Sequence, residues 1–162
     1  MMKETGKWLD DAGPRTRAIR SGIRRTPEGE HAEPIFTSSG LLFDSPEDAA
    51  AKFAGEVDGN VYSRYTNPTV RAFEKRLAAL EQGEAAVATA SGMLAILALC
   101  LTHLKAGDHV LCSRDVFGAT LGLFQNTLQK FGVEVGFVPL TDPDQWRESA
   151  KSNTRMLFIE TP

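Results

Sequence analysis

Ala85-Ala86-Val87-Ala88-Thr89-Ala90-Ser91-Gly92-Met93-Leu94-Ala95-Ile96-Leu97 sets a short run of small and β-branched residues before a serine–glycine turn and a longer apolar segment. That order predicts strand, turn and helix. Moving toward the C-terminus, the same texture repeats, with strands expected near Ala85 to Thr89, His109 to Cys112, Glu134 to Val138 and Met156 to Ile159. Helices are expected between them over about Gly92 to Leu104, Ala119 to Phe131 and Asp144 to Ala150, punctuated by Gly107, Gly132 and Pro143. Strands alternating with helices are the signature of βαβ units on a parallel sheet, so the fold class is α/β. The chain stops on a strand and the start of its exit loop. It therefore reads as truncated, with a doubly wound domain half built.

Upstream of Gly83 the pattern is different. From Met1 to about Ser39, Gly6, Gly13, Pro14, Gly22, Pro27, Gly29 and Pro34 break every sustained period, and Arg15, Arg17, Arg20, Arg24 and Arg25 cluster there. This reads as an arm, solvated or covered by a subunit. Ser45-Pro46-Glu47-Asp48 is a helix start: serine caps, proline occupies the first helical position, and the acids face the positive end of the dipole. Gly55 is expected to end that helix. Asn67-Pro68 starts a second one, with Val70, Phe73, Leu77 and Leu80 as its buried stripe and Arg71, Glu74, Lys75 and Arg76 toward solvent. Residues 1–60 are thus expected to be an arm and short helix serving subunit contacts, and residues 61–162 the first part of a large domain.

With 162 residues, 42% of them hydrophobic, one substantial core is within reach. The formal charge of −3 leaves no footprint for a phosphate backbone, so a nucleic-acid role is not expected. An acidic residue at Glu4 and no apolar run behind it argue against a secretory signal, and the apolar run Met93 to Leu101 falls short of the roughly 20 residues a membrane span needs. The expectation is a cytoplasmic protein without membrane contact. Met93 to Leu101 then reads as a buried helix. Cys100 and Cys112 read as reduced core residues, and His31, His103 and His109 lie too far from other ligands to propose a metal.

Three groups of residues carry possible chemistry. Ser91-Gly92-Met93 sits at a strand-to-helix turn, where unpaired backbone N–H groups and the helix dipole favour a phosphate or carboxylate. Glycine at such a turn also occurs for backbone geometry alone. Tyr62, Arg64 and Tyr65 set a planar guanidinium among phenols just before a helix N-terminus, a grouping suited to gripping phosphate oxygens, although arginine and tyrosine are also the residues of an ordinary protein contact, which composition alone favours. Phe117, in Ser113-Arg114-Asp115-Val116-Phe117, either lies flat on an aromatic ring or packs in the core.

Taken together and in this order, Tyr62-Ser63-Arg64-Tyr65-Thr66-Asn67-Pro68-Thr69, Ser91-Gly92-Met93 and Glu160-Thr161-Pro162 resemble the Cys/Met-metabolism family of fold-type I pyridoxal-phosphate enzymes. The resemblance covers about Arg17 to Pro162. It implies a mainly parallel sheet in the first half of the large domain, pyridoxal 5'-phosphate as cofactor, and an amino-acid substrate. It also implies a homotetramer in which Tyr62 and Arg64 reach the phosphate of the neighbouring subunit while Ser91, Gly92 and Met93 hold it from within. Phe117 matches the position that stacks on the pyridine ring. The Schiff-base lysine lies beyond Pro162, so this chain alone is expected to be inactive.

Family lyases and cystathionine synthases usually carry tyrosine where this chain has Phe117, within Asp115-Val116-Phe117-Gly118-Ala119-Thr120. That departure, with Glu30-His31-Ala32-Glu33 and Tyr65-Thr66, is most similar to the O-succinylhomoserine sulfhydrylase branch. The implied reaction is γ-replacement by sulfide, giving homocysteine and succinate. Cystathionine γ-synthase and O-acetylhomoserine sulfhydrylase chemistry remain alternatives, as does a non-catalytic α/β module.

Overall fold

A computed structural model describes Leu9 and residues 11–23 and 25–161. The chain forms two compact units, one ending at Ala88 and one beginning at Thr89.

In the first unit, α1 (Pro14–Arg20), α2 (Pro46–Ala54) and α3 (Pro68–Glu81) are joined by irregular chain. Both expected helix starts form as local chemistry dictates. Ser45 Oγ accepts the Asp48 N–H, and Asn67 Oδ1 accepts the Thr69 N–H, each with proline next in line. Gly55 closes α2 in the left-handed conformation (φ 75°). Two expectations are corrected. The arm contains a helix, α1, because Pro14 opens it as readily as it would break one and Arg17 and Arg20 complement its C-terminal end. The stripe on α3 is also not buried. Val70, Phe73 and Leu77 are exposed, while Ala72 and Ala78 are buried. The reason lies at Gly22 (φ 76°), where a Cβ would come within 2.5 Å of the Ala72 carbonyl oxygen, so the chain after α1 docks on the alanine face instead. Arg76 is drawn in there too, donating from Nε to the Ser21 carbonyl at 3.0 Å and pairing with Glu33.

The second unit is a parallel sheet with strand order β2-β1-β3, where β1 is His109–Ser113, β2 Glu134–Val138 and β3 Thr154–Phe158. All five residues of β1 are buried, as a near-continuous apolar run in a central parallel strand should be. It pairs in register with β2 from His109↔Glu134 to Ser113↔Val138, and with β3 from Val110↔Met156 to Cys112↔Phe158. The expected run Ala85 to Thr89 is not a strand. Val87 is exposed, and the Ala88 N–H bonds the Glu74 carboxylate rather than a neighbouring strand. A segment this rich in alanine has little to hold it extended without a ladder to join.

Helix α4 (Gly92–His103) precedes β1, and α6 (Pro143–Ser149) crosses from β2 to β3. The expected helix from Ala119 to Phe131 starts at Gly118 and changes pitch twice. It is α-helical over Gly118–Gly122 (α5), π-helical over Leu123–Thr127 and 3₁₀ over Leu128–Phe131. The widened turn carries Phe124 and the tightened one Leu128, both fully buried, into the core with Cys100, Val110, Cys112, Val116 and Val133. Phe124 meets Phe158 with ring centroids 5.2 Å apart. Helix α4 is not buried as a whole. Ile96, Leu97 and Cys100 face this core, whereas Leu94, Leu99 and Leu101 are exposed.

Candidate functional site

In open parallel α/β sheets, ligands bind outside the carboxyl ends of the strands. Here those ends are Ser113, Val138 and Phe158. Phe117 lies four residues past the first and Glu160 two past the third, so both belong to that edge. Helix α4 packs Ile96, Leu97 and Cys100 into the core shared with Val110 and Cys112 of β1, and the chain reverses into β1 through a short connection after Leu104, where the Lys105 N–H bonds the Asp108 carboxylate. Twelve helical residues span about 18 Å and a five-residue strand about 17 Å. The N-terminus of α4 is therefore directed toward the same edge.

At that N-terminus Ser91 Oγ accepts the Leu94 N–H at 3.2 Å, and the Ser91 carbonyl accepts the Thr89 hydroxyl at 2.8 Å. The Gly92 and Met93 amides are first-turn donors with no intrahelical acceptor. A Cβ at Gly92 would meet nothing within 4 Å, so the chain itself does not call for glycine here. Open space over aligned N–H groups is what an anionic group such as a phosphate ester fits.

Phe117 stands at the N-cap of α5 and is 68% exposed, so it does not pack into the core of this unit. Its loop is anchored from several sides: the Asp115 N–H bonds Ser113 Oγ, the Asp115 carboxylate accepts the Leu140 N–H, and the Arg114 N–H bonds the Val138 carbonyl. In β1, Cys112 is buried, and its thiol pKa is pushed up to about 12 by desolvation first and by the Glu160 carboxylate second. Cys100 is raised by burial as well. Neither thiol is a nucleophile, and both are free, buried core groups.

In the first unit Arg64 lies over the rings of Tyr65 and Tyr62, 4.9 and 5.9 Å from their centroids, and its Nη2 donates to the Tyr65 hydroxyl at 3.2 Å. Both tyrosines are exposed. The loop is held by contacts not anticipated from the sequence. Gly40 bridges Tyr62, the Ser63 N–H bonds the Ser39 carbonyl, and Ser63 Oγ donates to the Ser38 carbonyl at 2.6 Å. Asn67, beyond capping α3, donates from Nδ2 to the Phe36 carbonyl and to Ser63 Oγ, and Thr66 Oγ1 accepts the Val61 N–H. A rigid loop presenting an exposed, aromatic-flanked guanidinium suits a phosphate dianion. Among the described residues no group of three or more metal-ligating side chains is assembled.

The family model for Cys/Met metabolism PLP-dependent enzymes matches residues 15–162. The chain belongs to that family. Its members use pyridoxal phosphate, an aromatic ring with a phosphate ester, which the open α4 N-terminus and exposed Phe117 ring fit. O-succinylhomoserine sulfhydrylase of Pseudomonas aeruginosa is 57% identical over 154 residues, 95% of this chain and 38% of that protein. L-methionine γ-lyase of Fusobacterium nucleatum subsp. polymorphum is 44% identical over 91% of this chain and 37% of its own length. A crystal structure from Campylobacter jejuni, assigned as an O-acetylhomoserine (thiol)-lyase and carrying a pyridoxyl-lysine monophosphate, superposes with a TM-score of 0.85. It shares 30% identity over 91% of this chain and 36% of that one. The chain thus spans well under half the length of these family members.

Proposed function

We propose that the intact protein to which this chain belongs replaces the succinyloxy group of O-succinylhomoserine with sulfide, releasing succinate and forming homocysteine. The observation that carries this reading is the 57% identity to an O-succinylhomoserine sulfhydrylase across 95% of the chain, against 44% for a methionine γ-lyase. The bound cofactor supplies the electron sink for this chemistry.

This chain's own residues serve binding and orientation. The Gly92 and Met93 amides, with Ser91 as cap, hold the phosphate from within the subunit. Tyr62 and Arg64 close on it from a neighbouring subunit, which makes the active form a homo-oligomer, a tetramer in this reading, with a two-fold interface. Phe117 lies flat on the pyridine ring. Having no hydroxyl, it offers no hydrogen bond or proton at the substrate face, which favours replacement over elimination. The protein is proposed to act in the cytoplasm. No helix among the described residues is long and apolar enough to cross a membrane.

The test is a product assay on the full-length protein with O-succinyl- or O-acetylhomoserine, each with sulfide or cysteine. Homocysteine from the succinyl ester and sulfide, in preference to the other three combinations, is expected. Preferential cystathionine formation, or preference for the acetyl ester, overturns the assignment.

A further inference from the structure

Helix N-caps are normally Ser, Thr, Asp or Asn, whose side chains satisfy the first amides. The N-cap of α5 is Phe117, which makes no side-chain cap bond. The missing acceptor comes from another element. Glu160, beyond the end of β3, accepts the Phe117 N–H at Oε2 and the Thr120 hydroxyl at Oε1, both at 2.8 Å. In a capping box, an acid three residues into the helix reaches back to the N-cap amide. Here that third position is Thr120, fully buried, and it hands its hydroxyl to a carboxylate 40 residues away that makes the reach-back contact in its place.

Importing the cap leaves position 117 free to carry a ring. We infer that Glu160 is a positioning residue: through the Phe117 amide and Thr120 it sets the height and pitch of the Phe117 ring at the carboxyl edge of the sheet, where the ring meets the cofactor. The inference rests on the proposed cofactor-facing role of Phe117. Hydrogen bonds to a carboxylate are roughly twice as strong as neutral ones, and an anion at a helix N-terminus gains further from the dipole. Both oxygens are committed to one helical turn, Oε2 to the Phe117 backbone N–H and Oε1 to the Thr120 hydroxyl, so the carboxylate fixes that turn's orientation and not merely its distance from β3.

The test uses the full-length protein, with and without pyridoxal phosphate, as wild type, Glu160→Ala, Glu160→Gln, Phe117→Ala and Glu160→Ala/Phe117→Ala. In the apoprotein, amide exchange at 117–120 is expected to rise about tenfold or more in Glu160→Ala. Glu160→Gln, which keeps an acceptor for the Phe117 N–H, should retain most of the protection. In the holoprotein, Glu160→Ala should weaken cofactor affinity about tenfold and reduce the visible circular dichroism of the bound cofactor, whereas adding it to Phe117→Ala should change neither further. Wild-type affinity and dichroism in Glu160→Ala, with both reduced in Phe117→Ala, overturns the role of Glu160. No loss in Phe117→Ala overturns instead the cofactor-facing role on which it rests. If Glu160→Ala does not fold, Thr120→Val replaces it, and unchanged affinity and dichroism in that variant overturn the inference.

Discussion

The two units of this chain reach order by different physics. From Thr89 onward, a central strand with every residue buried is flanked by two parallel partners, and Phe124, Leu128 and Val133 close one face over it. Up to Ala88, the α3 side chains Val70, Phe73 and Leu77 remain exposed, and order comes from caps, ion pairs and side-chain bonds to backbone, such as Asn67 to Phe36 and Lys52 to Asp48. The first kind of order is set by area removed from water; the second is set one polar contact at a time. The proposed phosphate-gripping loop lies in the second kind of region, and the proposed ring platform sits at the edge of the first.

Paired truncations probe that contrast most strongly. Phe124→Ala in the full-length protein is expected to lose about 3–5 kcal/mol of stability by urea unfolding, because it empties a closed core. Phe73→Ala, at a side chain 55% exposed here, should cost well under half of that in the isolated chain. Equal losses for the two residues in the isolated chain would erase the distinction between the units. A large loss for Phe73→Ala in the full-length protein alone would show that the rest of the protein covers α3.

Arg64→Ala addresses function rather than packing. Loss of a charge-assisted contact of about 1.5–3 kcal/mol should weaken pyridoxal phosphate binding by the full-length protein roughly 10- to 150-fold without shifting its apoprotein stability. Unaltered affinity in a spectroscopic titration would count against a phosphate-binding role for the loop. Asn67→Ala, in contrast, removes the cap of α3 and two bonds to the 36–63 region, and about 1–2 kcal/mol of stability should go with it. Asn67→Ser, which keeps the cap but not the amide donor, should recover part of that loss.

The smallest effect is with pH. His109, buried with Nδ1 2.8 Å from Thr154 Oγ1, has its pKa held below the ordinary 6.5 by burial first and by Lys151 second. As pH falls through 6.5, the unfolded chain binds the proton more readily than the folded one, so stability declines with falling pH. The carboxylates of Glu33, Asp48 and Glu134 have lowered pKa values, and their contribution is lost only at lower pH, beginning near their ordinary values of 3.8 to 4.5. Urea midpoints should therefore already fall between pH 7 and 5, and His109→Gln should flatten that window. A flat wild-type profile above pH 5 would show that His109 is not held neutral.

What could be read in advance follows the range of the interaction. Ser45-Pro46 and Asn67-Pro68 declare their helices because cap, proline and first turn lie within four residues. Strand β2 forms over the expected Glu134 to Val138, a short run that Gly132 punctuates just upstream. The run from Ala85 was misread because an extended segment becomes a strand only when a neighbour accepts its hydrogen bonds, and Glu74 takes one of them. Motif positions such as Gly92 and Phe117 could be singled out, but which of them lie open and which are packed could not.

By itself the sequence determined the class of the fold and the two proline-capped helix starts at Pro46 and Pro68, and it singled out candidate residues for a phosphate and an aromatic ring. These depend on side-chain period, proline and glycine geometry, and donor type, all local in the chain. Tertiary structure alone decided that α3 packs on its alanines, that the helix after Phe117 changes pitch to bury Phe124 and Leu128, and that Glu160 caps a turn 40 residues distant. Those outcomes depend on which surfaces meet, and a carboxylate can cap a helix from another strand only after the sheet has brought the two ends together.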